Sequence, residues 1–420
     1  MEAVEIPADN ATFRSYLFFW SGQLISLLGS SVAQFVIIWW ITLETESALY
    51  LSIASLLGFA PMIILTPLAG VLVDRWSRKA LIGVVDFLQA LATVVLIFLF
   101  WSGSVSIWQV LVMLTLRGAF QAFHSPAVSA IIPLMVPKAK LSRINGLNYL
   151  LSGAVTLTGP VVAALLLVLW RIDQILWIDA GTFLIAVIPL LMIKIPSVRV
   201  KQDTSSFGKD FMEGLAFIKN GRGFLPLLVT ATAVNFLLTP LHTLLPYYVK
   251  FDHLGEAPDL ALVMAFFQGG ILAGGLLMSV IKGFKNKMVA VTSGIYVIFL
   301  GYALVALTPT GLFWFMAIGA SVMAFCVPVV NVSIQTISQT VVPMKMQGRV
   351  NSVTTALASA ATPLGMILSG VIVEFTRTAN LFLGCTGLGI LVLTLSWVFT
   401  DIRYVEKMET TLAQAEDSSP

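Results

Sequence analysis

Val136-Pro137-Lys138-Ala139-Lys140-Leu141-Ser142-Arg143-Ile144-Asn145 and Val342-Pro343-Met344-Lys345-Met346-Gln347-Gly348-Arg349-Val350-Asn351 share the pattern V-P-x5-R-[I/V]-N at an offset of 206 residues. Two further matches fall near that offset. Leu68-Ala69-Gly70 matches Leu272-Ala273-Gly274, 204 apart, and Gly159 matches Gly365, 206 apart. A fixed long period marks an internal duplication, here of a unit about half of the 420-residue chain.

Each repeat is built from apolar runs. Hydrophobic residues make up 58% of the chain and charged residues 11%. A soluble globular protein has about 45–50% apolar residues with glycine included, and about 25% charged. The excess apolar surface calls for lipid as solvent. A membrane-crossing helix needs roughly 20 apolar residues. Twelve runs qualify, near 15–42, 47–73, 80–101, 107–130, 143–169, 174–194, 224–249, 259–281, 288–307, 311–336, 350–372 and 380–400. With the N-terminus inside, twenty of the 24 Lys and Arg residues lie in cytosolic segments and three in outer loops. The positive-inside rule therefore puts both termini in the cytosol. The acidic start lacks the basic region of a cleavable signal peptide, so the first helix is expected to be retained.

Both repeats begin on the same side, so they are parallel. The expected fold is an all-α membrane protein whose twelve transmembrane helices form two parallel six-helix bundles. Residues 1–194 form the first bundle, 195–223 a cytosolic linker, 224–402 the second bundle and 403–420 a cytosolic tail. Parallel repeats about an axis along the membrane normal occur in secondary transporters, with the site between the halves. In the linker, Phe207, Phe211, Leu215 and Ile218 recur at helical spacing, so an amphipathic helix on the membrane surface is expected. Trp39, Trp40, Trp101, Trp108 and Trp170 fall near outer span ends, as in an interfacial belt.

Other chemistries are excluded. Two cysteines make no disulfide framework, and three dispersed histidines offer no metal pair. No metal or other cofactor is expected. The net charge of +3 carries no basic domain for nucleic acid. No paired acids for a metal-dependent transferase occur in a span, and no phosphate-cradling loop is present. The chain is therefore not expected to be an enzyme.

Gly70-Val71-Leu72-Val73-Asp74-Arg75-Trp76-Ser77-Arg78-Lys79, between spans two and three, resembles the signature loop of the major facilitator superfamily, G-x-L-x-D-R-x-G-R-K. Ser77 stands where the second glycine is usual. Arg117 in span four resembles an arginine common in proton-coupled members. Gly159-Pro160 resembles the core of the antiporter signature, although Val155 and Ala163 replace its usual glycines. Ser55–Pro61 and Arg117–Pro126 look like the macrolide-efflux-type drug:proton antiporters. The resemblance implies a proton-driven exporter of hydrophobic or amphiphilic small molecules. It would work as a monomer in the inner or plasma membrane of a bacterial cell, with a small molecule, protons and the lipid bilayer as partners. A siderophore or other metabolite exporter, an uptake carrier, and more remotely a non-transporting scaffold or sensor remain as alternatives. The resemblance also implies a latch in which Asp74, with Gly70, Arg75 and Arg78, docks at the start of span eleven near Asn351. A helix N-terminus suits that anion.

Ionisable groups inside a span are costly and default to functional candidates. Here they are Asp86, Arg117 and Asp179, with His124 and His242. Arg117, Gln121 and His124 share one helix face. A buried carboxylate beside an arginine can serve as a proton-coupling device, so Asp86, Asp179 and Arg117 are the candidates. Depth along the spans does not choose Arg117's partner. Polar stripes run along span one (Gln23, Ser26, Ser30, Gln34), span five (Asn145, Asn148, Ser152, Thr156), span seven (Asn235, Thr239, His242) and span ten (Asn331, Gln335, Ser338). In the family, spans one, four, seven and ten line the cavity. Gln23, Ser30, Gln34, Gln121, His124, Asn235, Thr239, His242, Asn331 and Gln335 are therefore cavity-lining candidates. Small polar residues also join membrane helices with no ligand at all.

Overall fold

The computed structural model describes residues 10–195, 207–221, 223–281, 283–344 and 346–407, apart from the side chains of Val71, Asp74, Arg75, residues 207–210, Asn220 and Lys407. Among these residues are twelve long α-helices. They are α1 Asn10–Thr45, α2 Ala48–Arg75, α3 Arg78–Trp101, α4 Ile107–Ser129, α5 Leu141–Leu169, α6 Ile172–Met192, α7 Phe224–Tyr247, α8 Ala257–Val280, α9 Lys287–Ala306, α10 Phe313–Val341, α11 Gln347–Val373 and α12 Thr378–Phe399. Eleven are long and apolar enough to cross a membrane. The twelfth, α4, carries Arg117, Gln121 and His124.

Local chemistry sets several helix starts. Ser47 Oγ accepts from the Tyr50 N–H and caps α2. Ser77, the departure from the signature loop, does the same for α3 by accepting from the Ala80 N–H. A serine at this position satisfies an amide that glycine would leave open. Lys79 reaches across that turn. Its Nζ donates to the carbonyls of Leu191 (2.8 Å) and Ile193 (2.7 Å) at the end of α6, where orphan carbonyls and the helix dipole favour a cation.

The chain divides into two compact units. Unit 1 comprises Met1–Gln202 with Glu256–Ala261, and unit 2 comprises Asp203–Gly255 with Leu262–Pro420. The repeat is visible inside each. Helices α4, α5 and α6 begin at residues 107, 141 and 172, and α10, α11 and α12 begin at 313, 347 and 378, each 206 later. Packing follows the same order. In unit 1, α1 packs on α5 and α6, α3 on α4 and α6, and α2 on α4. In unit 2, α7 packs on α11 and α12, and α9 on α10 and α12. There α8 crosses α10 so closely that a Cβ on Gly270 would lie 2.5 Å from the Ser321 carbonyl oxygen.

Two of the three sequence matches share a structural job. The V-P motifs make the same turn, with the Lys140 and Met346 amides each donating to a proline carbonyl at 2.8 Å. Gly159 and Gly365 both admit a neighbouring helix. A Cβ on Gly159 would collide with Ser31 of α1, and one on Gly365 would sit 3.0 Å from Thr239 of α7. The third match has no common job. Gly274 abuts the Phe325 carbonyl of α10, whereas a Cβ on Gly70 would meet nothing within 4 Å. Its offset of 204 is two residues out of register, which turns it to another helix face.

The linker helix, Phe207–Asn220, turns its apolar side to protein. A Cβ on Gly214 would lie 2.7 Å from the Arg349 carbonyl oxygen at the start of α11. Ile218 is fully buried, and Phe217 meets Phe224 edge to face at 6.4 Å. Trp39 and Trp40 depart from the interfacial belt too. Both are buried, and Trp40 packs edge-on against Phe100 at 5.0 Å. Trp101, Trp108 and Trp170 are exposed.

Candidate functional site

Unit 1 places its ionisable side chains in two tiers. Asp179 of α6 is the centre of one. Its Oδ2 accepts from Arg117 Nη1 at 2.8 Å and from Thr93 Oγ1 at 2.6 Å, and its Oδ1 accepts from Ser30 Oγ at 2.8 Å. Arg117 Nη1 also donates to Thr93 Oγ1. Arg117 is 9% exposed, Asp179 5% and Thr93 fully buried. Four helices, α1, α3, α4 and α6, thus meet in one closed network. A buried ion pair is favoured when its remaining lone pairs are also bonded, and the two hydroxyls do this for the Asp179 oxygens.

Asp86 of α3 is the centre of the other tier. His124 Nε2 lies 3.0 Å from Asp86 Oδ1 and 3.2 Å from Gln23 Oε1, and Gln23 Nε2 donates to Asp86 Oδ2 at 3.4 Å. Arg117 therefore takes Asp179, and Asp86 takes His124. Seven residues separate the tiers on three helices: Gln23 from Ser30, Asp86 from Thr93, and Arg117 from His124. Seven residues are two turns, about 10 Å along a helix. Thr93 was absent from the candidates; its spacing from Asp86 is the signal that points to it.

Of the remaining unit 1 candidates, Gln34 is exposed and Gln121 half-buried. Gly159 and Pro160 are buried in the α5–α1 packing. Gly70 is open, and Arg78 opens α3. The side chains of Asp74 and Arg75 lie outside the described residues, so the latch is not described here.

Unit 2 holds a cavity of about 600 Å³ between α7, α10 and α11. Its polar groups are amides and hydroxyls, among them Asn331, Gln335, Gln339, Gln347 and Asn351, set against Phe224, Leu227 and Leu228. No charged side chain is among its described lining residues. A cavity of this size with a few placed polar groups suits a small organic ligand. Asn235 and Asn331 also line a smaller void of about 110 Å³ between α7, α9, α10 and α12. Thr239 is outside both linings; it is buried against Gly365, and its hydroxyl donates to its own helix at the Asn235 carbonyl, 2.8 Å. His242 lies edge-on to Phe267 at 5.1 Å.

The Major Facilitator Superfamily sequence pattern matches residues 19–357. The chain belongs to the major facilitator superfamily. As a member of this superfamily it is a multi-pass membrane transporter of small molecules and not an enzyme. It is 30% identical over 393 residues to Macrolide efflux protein A of Streptococcus pyogenes, across 93% of this chain and 96% of that protein. It is 25% identical over 352 residues to the multidrug efflux pump Tap of Mycolicibacterium fortuitum, across 80% and 83%. Solved facilitator structures share its fold. The nucleoside transporter NupG aligns with a TM-score of 0.74 at 13% identity, covering 91% of this chain and 99% of that one. A bacterial homologue of the iron transporter ferroportin aligns at 0.71 and 15% identity, covering 92% and 99%.

Proposed function

We propose that this transporter exports hydrophobic or amphiphilic small molecules of the macrolide and multidrug kind in exchange for protons, by alternating access, with both termini in the cytosol of a bacterial cell. The observation that carries the reading is a division of chemistry. Unit 1 buries two carboxylates and an arginine, with a half-buried histidine, in bonded tiers, while unit 2 offers a cavity whose described lining is amides, hydroxyls and aliphatic groups without charge. An uncharged, mixed lining selects for size and apolar surface rather than for an ion. Ionisable groups at membrane depth give protons a place to act. A proton can drive the cycle only through a difference in its affinity for two conformations, and buried carboxylates bonded across several helices supply such a difference when those helices move. The relatives named for macrolide and multidrug efflux agree with this reading.

The test uses the purified full-length chain in liposomes with an acidic lumen. Labelled macrolide should accumulate inside while lumenal protons are lost, and collapsing the gradient should stop accumulation. Accumulation that ignores the gradient would reject proton exchange, and absence of macrolide movement would reject the substrate class.

A further inference from the structure

The two tiers differ in charge, and that difference names the proton's address. We infer that the proton is carried by the Asp86–His124–Gln23 tier, and that Arg117–Asp179 is a fixed ion pair that positions the helices. The inference deepens the proton-exchange reading and rests on it for the proton's use.

Consider the charge of each tier. Arg117 is permanently cationic, so with an ionised Asp179 its tier is neutral. A proton on Asp179 would leave a buried guanidinium without a counter-charge, which low dielectric penalises heavily. The other tier, with an ionised Asp86 and a neutral imidazole, carries one net negative charge. One proton makes it neutral.

Hydrogen-bond inventories agree. Ser30, Thr93 and Arg117 all donate to the Asp179 carboxylate. A carboxylic acid formed there would have only the Ser30 and Thr93 hydroxyls to donate to, each of which would first have to turn its own proton away, and Arg117 offers no acceptor at all. Asp86 has an adaptable neighbour. The Gln23 amide presents both a donor and an acceptor, at 3.4 Å from Asp86 and 3.2 Å from His124. Turning that amide over lets it donate to a carboxylate or accept from a carboxylic acid. Gln23 can therefore bond Asp86 in both protonation states, which the Arg117 guanidinium cannot do for Asp179.

Among the described residues, no other charged side chain is bonded to this tier. On α4 and α6, Arg117 and Asp179 neutralise each other two turns away. On α1, Tyr16 is one heptad to the other side and accepts from Asn148 Nδ2 at 3.2 Å, with Arg14 beyond it. On α3, Lys79 is committed to the end of α6, beside Arg78. Helix α5 brings Arg143 and Tyr149 in its first turns, and Asp173 opens α6. Within Ala48–Gly70 of α2 the one titratable side chain is Tyr50.

The experiment labels the full-length protein in lipid vesicles with a membrane-soluble carbodiimide, which reacts with protonated carboxyls, and maps the adducts by mass spectrometry. The expected result is an acid-dependent adduct at Asp86 and none above background at Asp179. His124→Gln should keep the Asp86 adduct, because the carboxyl then holds the proton alone. The charge-neutral double variant Arg117→Gln/Asp179→Asn should keep it too. An adduct at Asp179, or at neither acid, overturns the inference. In the liposome assay, Asp86→Asn should lose gradient-driven macrolide accumulation while retaining gradient-independent exchange. Full gradient-driven accumulation by Asp86→Asn also overturns it. If the wild type ignores the gradient, the proton-exchange reading fails, and the adduct map still decides which acid carries a proton.

Discussion

The two bundles share one packing plan and differ in what they bury. Among the described residues, the acid and arginine side chains below a tenth exposed are Asp86, Arg117, Asp173 and Asp179, all in unit 1. Moving 206 residues along from the tiers gives Phe236 for Ser30, Phe299 for Thr93, Met323 for Arg117 and Cys385 for Asp179. Asp86 and His124 become Thr292 and Val330. Met323 and Phe299 are fully buried and Cys385 nearly so. Unit 2 therefore carries no charge at the positions that match the tiers, and there Cys385 lies against the buried Tyr302 hydroxyl instead. A bundle of this plan can thus close without such tiers, which points the unit 1 charges to a role beyond folding.

That comparison can be broken at the ion pair, where the largest effect is expected. Arg117→Met alone strands Asp179 as a buried charge and should cost about 3–5 kcal/mol. Arg117→Met/Asp179→Cys, which writes the unit 2 residues into unit 1, should recover most of that loss. Replacing a buried pair by apolar groups is often neutral, and Thr93 keeps a bond to the Gln89 carbonyl at 3.2 Å. Thermal unfolding of the purified protein reads both. A double variant as unstable as the single one would mean that the tiers do hold unit 1 together.

The next effect separates the crossings. A Cβ on Gly118 would collide with the Gly58 carbonyl oxygen, which is backbone and cannot swing aside. Gly118→Ala should cost toward the upper end of the roughly 1–3 kcal/mol typical of overpacking. Gly365→Ala meets Thr239 Cβ at 3.0 Å and should cost less. Equal losses would show that the α5-type crossing in unit 2 is as rigid as the α2–α4 crossing in unit 1.

The cavity sharpens the comparison from the other side. Asn331 is exposed to it and makes no bond that holds the bundle. Asn331→Leu should leave the unfolding temperature unchanged. If the cavity takes substrate, macrolide binding should weaken by about two- to tenfold, the value of one hydrogen bond at about 0.5–1.5 kcal/mol. Tighter binding would mean that the ligand is held by apolar area alone.

Much of this was legible in the residues, and the exceptions have physical causes. The V-P-x5-R pair and Gly159/Gly365 located the repeat because both do local jobs, a turn and a close approach. Leu-Ala-Gly misled because three common membrane residues recur without a shared task. Stripes on spans seven and ten pointed at Asn235, Asn331 and Gln335, which do line voids. Gln347, Thr354 and Thr355 were missed because their wall of the cavity is the first turns of α11, where polar residues read as the end of a span. Arg117's partner was not legible, since a pairing among four helices depends on their rotation and not on depth alone. Thr93 was missed because threonine is ordinary in membrane helices, and its meaning comes only from the seven-residue echo of Asp86.

The linker helix poses the smallest test. Its amphipathic stripe was plain, yet an apolar face reads the same whether lipid or protein covers it. Two contacts compete to explain its docking on α11. Glu213 pairs with Arg349, both side chains a third or more exposed, and such pairs give about 0.2–1 kcal/mol and less in salt. Burial of a side chain such as Ile218 gives about 1.5–3 kcal/mol. The apolar contact should therefore hold the helix. Glu213→Gln should lower stability by well under 1 kcal/mol, with the difference from wild type vanishing at high salt, and limited proteolysis should still find the Phe207–Asn220 helix protected. Rapid cleavage of that helix in Glu213→Gln would mean that the ion pair is the clasp. Arg349 would then owe its partner to the linker, whereas no ion pair is seen for its repeat mate Arg143, exposed at the start of α5, among the described residues.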